Sequence, residues 1–172
     1  MSPVTHSGSL SLAEASRRLS ALRSQVAETA LQAGRQPSDI QILAVSKTFP
    51  AGMVKTYLEA GQSSFGESYI QEAREKSAEL ESLSPAQDWH FIGHLQTNKA
   101  KYAAGIFSTL HSLDDLDLAA ELDKRLAALG RNLKVYVQVN VAGEMQKSGL
   151  SPAELPRFLE ALTNFSRLEP LG

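Results

Sequence analysis

Between residues 10 and 34, apolar side chains recur at three- and four-residue steps: Leu12, Ala15, Leu19, Leu22, Val26, Ala30 and Leu31 form one stripe, and Gly34 follows it. That spacing predicts a long amphipathic helix stopped by glycine. Beyond it the period changes. Short apolar runs alternate with helical stripes: strand 41–47, helix 51–60, strand 63–66, helix 69–82, strand 89–93, helix 95–104, strand 106–111, helix 114–129, strand 134–141 and helix 152–165. Repeated βα units predict a parallel sheet. Strand 41–47 is apolar on both parities, with Leu43 and Val45 on one and Ile42 and Ala44 on the other, as expected where helices cover one face and a core covers the other. In strand 134–141 the parities divide. Val135, Val137, Val139 and Val141 are expected to meet helices, while Tyr136, Gln138 and Asn140 face the centre of the sheet, where a buried amide needs a partner or a ligand.

Composition narrows the class of protein. Of 172 residues, 42% are hydrophobic and 21% charged, the profile of an ordinary globular domain. A formal charge of -2 and a pI near 6.1 supply no bulk attraction for nucleic acid or an anionic membrane. The absence of cysteine rules out disulfides and thiolate chemistry within this sequence, and fits a reducing compartment. The opening MSPVTHSGSL lacks the basic and apolar regions of a secretory signal. No later run approaches the roughly 20 apolar residues of a membrane span. A soluble, cytoplasmic protein of one domain is expected.

Ligand sites in parallel α/β folds lie at the carboxyl ends of the strands. Here those ends carry Ser46-Lys47-Thr48, Gly66-Glu67-Ser68-Tyr69, His90 and His94, His111-Ser112, and Asn140. The amine at Lys47 follows a buried strand. Either its stem lies along apolar surface with the charge in water, or the position does chemistry. A primary amine attacks an aldehyde only when unprotonated, so a Schiff base is the chemistry such a lysine would suit. Gln138 is open between a structural hydrogen bond and a ligand contact. His90 and His94 are four apart, but "DWHFIG" reads as a strand and no acidic third ligand follows, so no metal is expected. Glu67 and Asp114 could serve as acids or bases, yet Glu67 follows a glycine and Asp114 stands at a helix start, which favours solvated or capping roles for both. Neither GxGxxG nor GxxxxGK[ST] occurs.

Taken in order and spacing, "AVSKT", "FGESYIQE", "WHFIGHLQTNK", "HSLD" and "VQVNVAGEMQKSGL" closely resemble the pyridoxal 5′-phosphate homeostasis protein family, over roughly residues 10–172. Its members look like the barrel domain of alanine racemases without the second, β-rich domain. The resemblance therefore implies an α/β fold of the (β/α)8 TIM-barrel type with an extra N-terminal helix. It implies that pyridoxal 5′-phosphate is the cofactor, held as a Schiff base on Lys47, with Ser68, His90 and Asn140 near it and no catalytic or metal-binding residue; His90 reads equally as a satisfied core histidine. The family pattern has asparagine where this chain has Ser68, a shorter side chain that lacks the amide. Lys147, in "EMQKSG", falls within a family motif as well; it is either a second aldehyde-exchanging amine or a solvated loop lysine.

The family's phosphate-holding segments have no counterpart before the final "LEPLG". The expectation is thus one domain over 1–172, an incomplete barrel of about five βα units with a sixth strand beginning. A monomer is expected for the family, with association open to an unclosed sheet. The implied function is intracellular vitamin B6 homeostasis without substrate turnover, with pyridoxal-phosphate-dependent apo-enzymes as possible recipients and neither nucleic acid nor membrane as partner. The alternatives are a racemase- or decarboxylase-type enzyme and a cofactor-free scaffold.

Overall fold

A computed structural model describes residues 10–83, 86–144 and 146–172, so nine of the ten residues read for a secretory signal lie outside the described residues. The opening stripe forms α1 (Leu12–Gln32), whose first turn is capped by the Ser11 side chain accepting from Glu14 N at 3.2 Å. Gly34 follows at φ +69, a conformation glycine adopts without strain. Then come β1 (Ala44–Val45), α2 (Ala51–Glu59), β2 (Ser64–Glu67), α3 (Ile70–Leu80), β3 (Asp88–Phe91), α4 (Ala100–Ile106), β4 (Thr109–Leu113), α5 (Leu116–Leu129), β5 (Leu133–Val137), α6 (Leu155–Leu162) and β6 (Leu168–Pro170).

The six strands pair in chain order, each parallel to the next. One row of paired residues crosses the whole sheet: Val45, Gly66, His90, Thr109, Lys134 and Glu169. This row is largely polar. The adjacent row, Phe91, Leu110 and Val135, is fully buried beneath the helices. A parallel sheet with consecutive strands adjacent and one polar concave face is the arc of a TIM-type barrel. β1 and β6 each pair with one strand, so the arc is not closed among the described residues.

The core lies between the apolar face and the helices. Phe91 and Phe107 meet at 5.0 Å between ring centroids, Phe65 and Trp89 at 5.8 Å, and Leu118, Leu122 and Leu126 of α5 are fully buried against them. Each such side chain contributes about 1.5–3 kcal/mol on burial. The α5 cap corrects the sequence reading by one residue. Asp115, not Asp114, accepts from Leu118 N at 2.7 Å, and Gly130 ends the helix at φ +64. Two further differences concern strands. β1 is shorter than 41–47, and Val45 is 48% exposed instead of covered, because it lies in the concave row, where Lys134 and Glu169 are exposed as well. β5 stops at Val137; beyond it Val139 makes an isolated parallel bridge with Leu150.

Candidate functional site at the strand ends

The carboxyl end of β1 is built as a tight turn. Ser46 N still donates to Gly66 O at 2.9 Å, continuing the ladder to β2, and Phe49 N returns to Ser46 O at 3.1 Å. Thr48, between them, sits at φ +67. A β-branched residue rarely adopts that conformation, so the turn is strained and must be held from outside. Lys47 occupies the middle of this turn, exposed, with no hydrogen-bond or ion-pair partner among the described residues.

What holds the turn is a charge cluster that sequence reasoning missed. Lys76 of α3 is buried, and its ammonium donates to Ser46 O at 2.6 Å, Glu67 Oε1 at 2.7 Å and Glu72 Oε1 at 2.7 Å. Ser46 Oγ donates to Glu67 Oε1 at 2.6 Å, and Thr48 N donates to Glu72 Oε1 at 2.6 Å. The solvated or capping role expected of Glu67 is therefore wrong. It has no solvent exposure, because it lies in the helix-facing row of β2, and its Oε2 has no hydrogen-bond partner among the described residues. The available signal was Glu72 and Lys76 four apart, a helix-surface ion-pair spacing; nothing in it distinguishes a buried pair from a solvated one.

Ser68 follows Glu67 and is two residues beyond Gly66, as Lys47 is two beyond Val45, so the two sit at the same level of the sheet. Gly93 packs against it: a Cβ there would lie 2.9 Å from Ser68 Cα, a distance only glycine avoids. The Ser68 side chain lines a hollow of about 410 Å³ with Tyr69, Arg74, His94 and Tyr102.

His90 lies one layer deeper, in the row of Val45 and Gly66. Both its nitrogens are engaged, Nε2 with Asp88 Oδ2 at 2.9 Å and Nδ1 with His111 Nε2 at 2.9 Å. An ionised carboxylate only accepts, so with both rings neutral His90 Nε2 carries the proton and His111 Nε2 donates to His90 Nδ1. His111 in turn stacks on Tyr136 with centroids 4.9 Å apart. Burial and the neighbouring His90 push the His111 pKa down. Burial acts to raise Asp88, but hydrogen bonds from Ser108, His90 and Ser64 outweigh it and hold the carboxyl below its ordinary value. Burial raises Asp114, against a hydrogen bond from the Gly149 backbone.

Asn140 stands apart. Its Nδ2 donates to Glu144 O at 2.9 Å and Lys147 O at 3.2 Å, and its Oδ1 accepts from Glu144 N at 3.3 Å, so it braces the loop after β5. Gln138 does the same through Ser148 O at 3.0 Å. Asn140 and Lys147 line a second hollow of about 400 Å³ with Ile92, His94 and Gln138, and the exposed Lys147 ammonium pairs with Glu144. Met145 of this motif lies outside the described residues. The structure thus puts Lys47 and Ser68 just beyond the ends of two paired strands, His90 in the row of Val45 and Gly66, and Asn140 in a separate hollow.

Known proteins give these positions a context. The family model "Alanine racemase, N-terminal domain" matches residues 18–172. The pyridoxal phosphate homeostasis protein of Pseudomonas aeruginosa is 43% identical over 148 residues, which cover 86% of this chain and 64% of that protein; the chain spans about two thirds of the length of such relatives. These relatives are named as homeostasis proteins, not as enzymes. The structure of PipY from Synechococcus elongatus with PLP bound superposes with a TM-score of 0.76 at 37% identity, covering 92% of this chain and 72% of that one. Alanine racemase from Streptomyces coelicolor shares the fold, with a TM-score of 0.67 at 18% identity over 92% of this chain and 40% of the racemase. No described helix is long and apolar enough to cross a membrane.

Proposed function

The chain belongs to the alanine racemase N-terminal domain family, in its pyridoxal phosphate homeostasis branch, and from that premise we propose that it is a cytoplasmic carrier of pyridoxal 5′-phosphate, bound on Lys47 without turnover of a substrate. The observation that carries this reading is the exposed, unpartnered Lys47 amine on a braced turn at a strand's carboxyl end. The cofactor brings an aldehyde, with which an unprotonated primary amine condenses to a Schiff base, releasing water. The residues present fit that end of the molecule. Among the described residues Lys47 has no carboxylate partner to displace before it reacts. Ser68, at the same level and lining an open hollow, offers a hydroxyl that donates and accepts.

Two observations support carriage over catalysis. His90, the candidate base nearest in register, has both nitrogens occupied by Asp88 and His111, so a proton taken from a substrate would first have to displace one of them. The relatives' names also describe homeostasis. Transfer to cofactor-requiring apo-enzymes would proceed by exchange of the aldehyde from Lys47 to the recipient's own lysine.

The test is a visible-range titration of the purified chain with pyridoxal 5′-phosphate, followed by borohydride reduction and peptide mapping. The expected result is one reducible adduct, on Lys47, and amino-acid racemisation no faster than with free cofactor at equal concentration. A clear catalytic excess would replace the carrier with an enzyme, and a chain without any adduct would leave the scaffold.

A further inference from the structure

We propose that Lys76, Glu67 and Glu72 form a positioning cluster for Lys47: a buried device whose role is to fix the turn that presents the reactive amine. The inference rests on the carrier reading and adds residues to it. Apart from one another, the three charged groups bond to Ser46 Oγ, Ser46 O and Thr48 N, the residues on either side of Lys47. Every neutral partner of the cluster therefore lies in the turn.

Stability alone is a poor reason to keep such a group. Buried ion pairs are often no more stabilising than apolar side chains of equal volume, and their best use is to specify geometry. This one is also imperfect as a stabilising device, with two carboxylates for one ammonium and Glu67 Oε2 buried without a partner among the described residues. What it does secure is an unfavourable backbone. Thr48 at φ +67 has its amide fixed by Glu72 Oε1, while Lys76 holds Ser46 O two residues earlier. Both clamping side chains come from one helix, α3, which is docked through the buried Ala73 and Leu80. Lys47 is thereby referenced to a rigid element.

Glu72→Ala and Glu72→Gln of the full 172-residue chain test this, the second retaining an acceptor for Thr48 N. Two readouts are taken: amide hydrogen exchange at Thr48, and the share of borohydride-trapped pyridoxal 5′-phosphate found on Lys47 against all other lysines. In the unaltered chain the Thr48 amide is expected to be protected and Lys47 to dominate. Glu72→Ala should speed Thr48 exchange and lower the Lys47 share about tenfold, and Glu72→Gln should restore it to within about twofold, with far-UV circular dichroism unchanged in both. A full Lys47 share in Glu72→Ala, despite faster exchange, would overturn the cluster alone. So would a Thr48 amide that exchanges freely in the unaltered chain, or a Gln variant no better than Ala. An unaltered chain with no adduct on Lys47 would overturn the carrier reading, and this inference with it.

Discussion

Ser46 Oγ donates to Glu67 Oε1 across 2.6 Å, and that bond joins the last residue before Lys47 to the last residue before Ser68. Both partners are buried, and both belong to the helix-facing row. Their successors, Lys47 and Ser68, lie just beyond the ends of β1 and β2. The two positions that the family resemblance implies for the cofactor are thus each preceded by one partner of a buried hydrogen bond. Several consequences can be measured.

Arginine at position 47 keeps a cation but cannot form an imine, because guanidinium stays protonated. Lys47 is exposed and makes no side-chain bond among the described residues, so the fold loses nothing. Lys47→Arg is expected to abolish the reducible adduct and leave far-UV circular dichroism unchanged. An adduct of undiminished yield on another lysine would move the site elsewhere.

Ser68→Asn restores the amide of the family pattern. The hollow it lines, about 410 Å³, has room for the larger side chain, and the Ser68 hydroxyl has no existing bond among the described residues to lose. One regained hydrogen bond is worth about 0.5–1.5 kcal/mol, hence roughly two- to tenfold in affinity by spectral titration. Unchanged affinity would place the cofactor away from β2.

These positions show how far a sequence can be read. The βα alternation was legible because periodicity reports which face meets the core, and so was the parity of β5 as far as Val137; Val141, expected to meet helices, lies past the strand end and is 81% exposed. The glycine stop at Gly130 was legible because a left-handed residue favours glycine. Glu67 was misread because burial of a carboxylate depends on a partner nine residues away on another element. Asn140 carries the strand-end signal expected of a ligand contact, yet its amide is spent on its own loop, a competition that residue type alone does not reveal. Val45 looked like core from its parity, but exposure is decided by what covers that face, and Lys134 of the same row is exposed although its strand has two neighbours.

Lys76→Met removes the cation and leaves Glu67, with no solvent exposure, bonded only by Ser46. Breaking one side of a buried pair costs about 3–5 kcal/mol, because the remaining charge has no compensation. The urea midpoint should fall accordingly with the slope unchanged. Adding Glu67→Gln to Lys76→Met should recover at least half of the loss, since the uncompensated charge disappears. A Lys76→Met chain as stable as the original would show that the buried pair contributes no net stability.

The His111 pKa is held below its ordinary 6.5 by burial first and by His90 second. A folded-state value below the unfolded one means that the unfolded chain binds the proton more readily. The resulting stability is present above about pH 6.5 and is lost as pH falls toward the depressed value. Asp88, also lowered, adds a second loss below its ordinary 3.8. The melting temperature should therefore be flat above pH 7 and decline from about pH 6.5 downward. His111→Gln keeps a donor for His90 and removes the titration, so its decline between pH 6.5 and 4.5 should be shallower. Parallel curves for the two chains would assign the decline to other groups.

Edge strands supply the last prediction. β1 and β6 each pair with one neighbour, which leaves a row of backbone donors and acceptors at each end of the arc. Such rows recruit another chain unless they are blocked. β6 carries its own block, for Pro170 has no N–H to offer, whereas β1 consists of Ala44 and Val45 with Val45 48% exposed. Association should therefore run through β1. Light scattering of the purified 172-residue chain is expected to give a mass above the 18.6 kDa of a monomer, rising with concentration. Val45→Lys, which puts a charge on that edge, should shift the equilibrium toward the monomer. A monodisperse species at 18.6 kDa across the concentration range, for both chains, would show that the short edge at Ala44–Val45 is too weak a template to pair.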